Sequence, residues 1–236
     1  MIKIADLHYC LPSRRETLSG IGFDLPPGSF LALLGENGAG KTTLLDILMG
    51  FRLRTSGTAL VLGQDPGLDL GETRSRIAYL SEKIDSPGDW SAAEFLDFHG
   101  AFYPRYDRSE ERDLMGALHV SPQELVGNLS SGELRRLQIV AALAAQPDLV
   151  IADEITAVLD IRGRVKFLDM LQERQKSRGM TVIMATNIPE GLDSYADHIL
   201  LIHKGAQVAF FLLSDFVRGS PGLARSVLAS LEKNDP

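Results

Sequence analysis

The run GENGAGKT, residues 35–42, follows the apolar stretch SFLALL and precedes TLLDILMGF, in which Leu44, Leu45, Ile47 and Leu48 recur at helical spacing. It fits the pattern of glycine, four residues, glycine, lysine and a hydroxyl residue, set between a strand and a helix. Gly35, Gly38 and Gly40 let backbone N–H groups turn inward with no Cβ in the way, which makes a nest for phosphate oxygens at the positive end of a helix dipole. Lys41 is placed to neutralise the outer phosphates and Thr42 to offer its hydroxyl to Mg²⁺, while Asn37, Ala39 and Thr43 complete the loop and the start of the helix. The spacing predicts a nucleoside triphosphate site opening an α/β fold.

Working outward, IKIADLHY (residues 2–9) and GIGFDL (20–25) read as strands upstream of the loop, and residues 57–63 and 77–81 as strands downstream of it. From 91 to 145 the pattern turns helical, an insertion into the α/β core. Ser91 with Glu94, and Asp107 with Glu110, have the spacing of helix caps, and Phe95, Phe98 and Phe102 are expected in the core. The charged run RYDRSEERD is expected to be a solvated helix start. Strand patterns resume with DLVIADE (148–154), TVIMAT (181–186) and HILLIHKGAQVAFF (198–211), the last a hairpin turning at Lys204 and Gly205. No internal repeat interrupts this order.

With 236 residues and 44% hydrophobic content the chain can bury a large core. A single cysteine, Cys10, excludes an internal disulfide and a cysteine-built zinc site. No uncharged apolar run approaches the ~20 residues that span a bilayer, and the amino terminus lacks a secretory pattern, so a cytoplasmic protein is expected. A formal charge of −7 disfavours nucleic acid as a partner.

Two further stretches carry chemistry. LVIADE ends in Asp153 and Glu154 at the edge of a buried strand, where a carboxylate is costly without a partner. Asp153 suits Mg²⁺ and Glu154 the activation of a water; the competing reading is a pair of acids capping a helix. TVIMATNIPEG (181–191) stops on Asn187, which reads both as an N-cap, with Glu190 completing a capping box, and as a polar group aimed at the phosphates.

The stretch NLSSGELRR (128–136) narrows the field. Leu129, Ser130, Ser131, Gly132 and Glu133, about twenty residues before Asp153, resemble the signature motif of ATP-binding cassette (ABC) ATPases, P-loop NTPases with a mixed sheet, an N-terminal antiparallel β part and an inserted helical subdomain. On that resemblance, residues 1–84 and 146–211 form the ATP-binding core, 85–145 the helical signature subdomain and 212–236 a short helical tail. Tyr9 falls where the family stacks an aromatic on adenine, though a plain strand residue fits as well, and Asp160 falls in its dimer-contact loop. The resemblance implies an ATPase with ATP and Mg²⁺ as cofactors. It also implies a head-to-tail dimer with a second such subunit, in which the signature of one chain meets the ATP of the other.

Separate transmembrane subunits would be driven at the inner face of the cell membrane, with contact near Glu82 to Trp90, where the lone tryptophan is an interface anchor or core. FYPRYD (102–107) and a glutamate after YLS resemble ABC-2 type exporters. Three positions depart from the family: Glu82 replaces a glutamine at the metal, Ser131 a glycine, and Asn187 the switch histidine. Asparagine is shorter and cannot become cationic, so slow hydrolysis, or a feebly hydrolysing switch or assembly subunit, is the alternative expectation.

Overall fold

β-Branched and apolar residues at alternate positions make β1 (Ile2–Cys10) and β2 (Glu16–Leu25) an antiparallel pair, with Tyr9 opposite Leu18. The computed structural model describes residues 1–13, 16–68, 71–81, 87–155 and 159–216. After β2 come β3 (Phe30–Leu34), α1 (Lys41–Leu48), β4 (Ser56–Val61) and β5 (Ile77–Leu80). Next are three helices, α2 (Ala92–Gly100), α3 (Arg108–Leu118) and α4 (Ser131–Ala144). The chain then runs through β6 (Leu149–Asp153), α5 (Ile161–Arg178), β7 (Thr181–Thr186), β8 (His198–His203), β9 (Ala206–Leu212) and the short α6 (Leu213–Phe216). Residues 217–236, most of the expected tail, lie outside the described residues, and β9 extends to Leu212.

The described strands form one mixed sheet in the order β4-β1-β2-β9-β8-β3-β7-β6-β5. β3, β5, β6, β7 and β8 run parallel. Every residue of β3, β6, β7 and β8 is buried, because helices or the antiparallel layer cover both faces, and hence their apolar runs are uninterrupted. Alternate residues separate two cores. Phe30, Ala32 and Leu34 share one with α4, α5 and the buried residues of α2 and α3; Leu31 and Leu33 share the other with α1, β1 and β2.

Register decides where the site lies. Leu34 pairs with Thr186 and Asp153 with Ala185, so the loops leaving β3, β6 and β7 emerge side by side at the carboxyl edge of the parallel strands.

In the helical insertion the structure corrects two expectations. Phe98 and Phe102 are exposed by 54% and 62%, packing edge to face on each other, with Phe98 also on Trp90, rather than inside the core. Asp107 caps α3 by accepting from the N–H groups of Ser109 and Glu110, but the Glu110 side chain does not return to the cap. It is buried and takes hydrogen bonds from Arg174 and Arg178 of α5, so the charged run is not wholly solvated. The Ser91 and Glu94 capping box does form.

Candidate functional site

The phosphate loop is held from beneath by a hairpin. Gly205, in the β8–β9 turn, has φ +85° and donates its N–H to the carbonyl of Ala39 at 3.0 Å, and a Cβ there would lie 2.4 Å from the Thr17 carbonyl oxygen. Gly40, with φ +106°, would place a Cβ 2.7 Å from Leu18. The loop and the hairpin turn can thus pack this closely against strand β2 because glycines stand at both points of approach.

These elements enclose a cavity of 480 Å³ lined by Asn37, Gly38, Gly40, Lys41, Thr42 and Thr43 of the loop, by Glu154, by Asn187 and Ile188, and by Thr17. Lys41 is 5% exposed; its ammonium donates to the carbonyls of Gly35 at 2.7 Å and Glu36 at 3.1 Å, and lies 3.1 Å from Glu154 Oε1. Glu154 adopts φ +51°, unusual for an L-residue, which turns its chain out of the strand direction just as β6 ends. Thr42 Oγ1 donates to Asp153 Oδ2 at 2.7 Å. Asp153 Oδ1 is buried and without a hydrogen-bond partner, and burial raises the Asp153 pKa above its ordinary value.

Asn187 does not cap a helix. The segment after β7 continues without regular structure to a 3₁₀ turn at Leu192–Ser194 whose N-cap is Gly191, and Pro189 holds Ile188 out of the helical region. The Asn187 Nδ2 group instead donates to Asn37 Oδ1 at 3.2 Å, across 150 residues of sequence. The capping-box reading therefore fails.

The remaining candidates lie away from this cavity. Tyr9 does not line it; the guanidinium of Arg52, paired with Asp46 at 2.7 Å, sits 6.0 Å from the Tyr9 ring centroid. Ser130 is the N-cap of α4, accepting from Glu133 N at 3.3 Å while Glu133 Oε2 takes the Ser130 N–H at 2.9 Å. The Ser130 hydroxyl, which donates to Glu133 Oε2 at 2.7 Å, and then the Ser130 N–H hold the Glu133 carboxyl below its usual range. Ser131 is exposed within α4 and has no left-handed φ, so glycine is not required there; Gly132 follows in the same turn, and Leu129 packs against the core. Asp160 caps α5 by accepting from Gly163 N at 2.7 Å. Glu82 lies outside the described residues. Thr17 and Ile188, not among the site residues expected from the sequence, line the cavity because β2 begins and β7 ends beside the loop.

The profile of the ABC transporter family matches residues 18–157, and a protein of Methanothermobacter marburgensis named as an ABC transporter ATP-binding protein is 33% identical over 94% of this chain and 80% of its own. The chain belongs to the ABC transporter family. It is the ATP-binding subunit of such a transporter, in a family of ATPases. An energy-coupling factor transporter ATP-binding protein of Methanospirillum hungatei is 33% identical over 89% of this chain and 54% of its own length. These relatives give no support to the ABC-2 exporter resemblance. A solved dimeric ATP-binding cassette, in a post-hydrolysis state with ADP and Pi, superposes with TM-score 0.80 at 21% identity over 93% of this chain and all of that one, which establishes the shared fold. No helix among the described residues is long and apolar enough to cross a membrane.

Proposed function

We propose that this ABC subunit binds Mg-ATP in the 480 Å³ cavity, closes on a second ATP-binding subunit around that ATP, and opens when it hydrolyses it with Glu154 as general base. The convergence of Lys41, Thr42, Asp153, Glu154 and Asn187 on one edge of the sheet carries this reading. Asp153 Oδ1 and the Thr42 hydroxyl suit Mg²⁺, a hard cation that takes one or two protein oxygens together with phosphate oxygens. No cluster of three His, Cys, Asp or Glu is needed for that, and none occurs among the described residues. The metal would supply charge neutralisation at the phosphates.

The chain's own groups do the rest. The nest around Gly38 and Gly40 orients the triphosphate, with Asn37, Ala39 and Thr43 shaping it. Lys41 is shared between the loop carbonyls and Glu154; drawing its ammonium onto a phosphate oxygen frees the Glu154 carboxylate to take a proton from water. Tyr9 would receive the base, and the Ser130–Gly132 turn at the positive end of α4 and Asp160 would meet the ATP of the partner subunit. Partner membrane subunits would dock near 82–90, where Trp90 stands at the exposed Phe98 and Phe102. Export is not part of this reading, because direction belongs to the membrane subunits.

A second reading, a slow nucleotide switch, is favoured by one observation: the Asn187 amide is engaged with Asn37 and carries no cation. Steady-state Mg-ATP hydrolysis, with size-exclusion chromatography of parent and Glu154→Gln chains, tests both. Turnover in the parent and an ATP-dependent dimer in Glu154→Gln support the base assignment. Unchanged turnover in Glu154→Gln overturns it, and binding without turnover in the parent selects the switch.

A further inference from the structure

The segment that carries Asn187 is held by an arginine from another element. Between β7 and the 3₁₀ turn, residues 187–190 form neither strand nor helix. Ile188 N donates to Thr186 Oγ1 at 3.1 Å and the Pro189 carbonyl accepts from Leu192 N at 3.2 Å. The carbonyls of Ile188 and Glu190 accept from one nitrogen of Arg164, Nη2, at 3.1 and 2.8 Å. Pro189 brings no N–H of its own, so this guanidinium is a principal tie.

Arg164 lies in the first turn of α5, and its backbone N–H donates to the carbonyl of Asp160 at 2.9 Å. The Asp160 carboxylate caps the same turn through Gly163. Asp160 is exposed, and both its carboxylate and its carbonyl hold the turn behind it, through the N–H groups of Gly163 and Arg164. A displacement of Asp160 therefore moves Arg164, the carbonyls of Ile188 and Glu190, and Asn187 against Asn37 of the phosphate loop.

We propose that Arg164 is a positioning residue that links the Asp160 end of α5, where a second subunit would press, to the placement of Asn187 at the phosphates. This rests on the proposed function above. The linkage acts on turnover more than on ATP affinity, since Arg164 does not itself line the cavity and its bonds go to the backbone carbonyls of Ile188 and Glu190 rather than to the phosphate loop. The planar guanidinium reaches two carbonyls at once; a lysine, a single flexible point charge, holds them less firmly.

The test compares the parent with Arg164→Ala, Arg164→Lys, Asn187→Ala and the Arg164→Ala/Asn187→Ala double variant, reading kcat, affinity for a fluorescent ATP analogue and thermal midpoint. The expected result for Arg164→Ala is a fall in kcat of about tenfold or more, the size that a small misplacement produces, with affinity held within about twofold. Arg164→Lys recovers part of the loss, and Arg164→Ala adds nothing in the Asn187→Ala background. A second readout is amide hydrogen exchange over 187–192 in the Glu154→Gln chain with and without Mg-ATP. Exchange slows when the dimer forms, and in the added Arg164→Ala variant it stays fast although the dimer still forms. Unchanged kcat, additive losses, or an equal loss of affinity overturns the proposal while leaving the proposed function intact. A parent chain that neither hydrolyses ATP nor dimerises with it removes both.

Discussion

Asn187 and His99 show how much a single side chain depends on what surrounds it. The asparagine sits at the end of an apolar strand with a glutamate three residues on, and local spacing favours a cap; Pro189 and the absence of a following helix send its amide to Asn37 instead. No local pattern contains that partner, because the two residues meet only through the register of β3 with β7. Lys41 and Thr42 were legible, since a loop between strand and helix fixes their placement within a few residues. His99 was not. It stacks between Phe95 and Tyr103, its Nδ1 has no hydrogen-bond partner, and burial pushes its pKa down to about 4. The unfolded chain takes up this proton near the ordinary histidine pKa of 6.5 and the folded chain only near 4, so the stability held by neutral His99 is complete above pH 6.5 and drains away as pH falls from there toward 4. The urea midpoint of the parent is expected to drop between about pH 7 and about pH 5, and that of His99→Phe to drop less. Equal drops in the two chains would show that His99 carries none of the acid lability.

At the level of elements, α3 is fastened to α5 by charge. Glu110 and Arg174 are about 10% and 12% exposed and lie 2.6 Å apart, with Arg178 at 2.8 Å on the other carboxylate oxygen and Gln146 at 3.3 Å. The charged run was legible as a helix start, and Asp107 does cap it; that one of its acids turns inward depends on where α5 lies, which the local sequence does not contain. The same limit applies to Phe98 and Phe102, whose helical spacing marks one face of α2 without saying whether anything covers it. Removing one member of a buried pair leaves its partner's charge uncompensated, at a cost of about 3 kcal/mol. Glu110→Gln is therefore expected to lower the unfolding free energy by that amount, read as a lower denaturant midpoint with an unchanged slope, while Arg178→Gln, on the half-exposed arm, costs well under half as much. If the two variants are equally mild, the cluster does not tie α3 to α5.

Across the whole molecule, the helical insertion shares its core with the sheet. Leu96 of α2, Leu114, Met115 and Leu118 of α3 and the apolar face of α4 belong to the same buried cluster as Phe30, Val150, Val182 and Ile199. The alternation of apolar and polar segments made the α/β order and the insertion readable, because each element signals its own period. It did not say whether the insertion has a core of its own, since that depends on which faces meet. One continuous core means that separating the insertion exposes apolar area on both sides, so the two parts should unfold together. Trp90, the lone tryptophan, sits at the mouth of the insertion against Phe98 and reports on that part, while far-UV circular dichroism reports on the helices of both parts, α1 and α5 as well as α2 to α4. Denaturation followed by the two signals is expected to give one coincident transition. Mg-ATP at about 100 times its Kd should shift both by the same ~2.7 kcal/mol, because the ligand binds only the folded cavity. A tryptophan transition that comes first and ignores ATP would mean that the insertion unfolds by itself, and that the shared core does not bind the two parts into one cooperative unit.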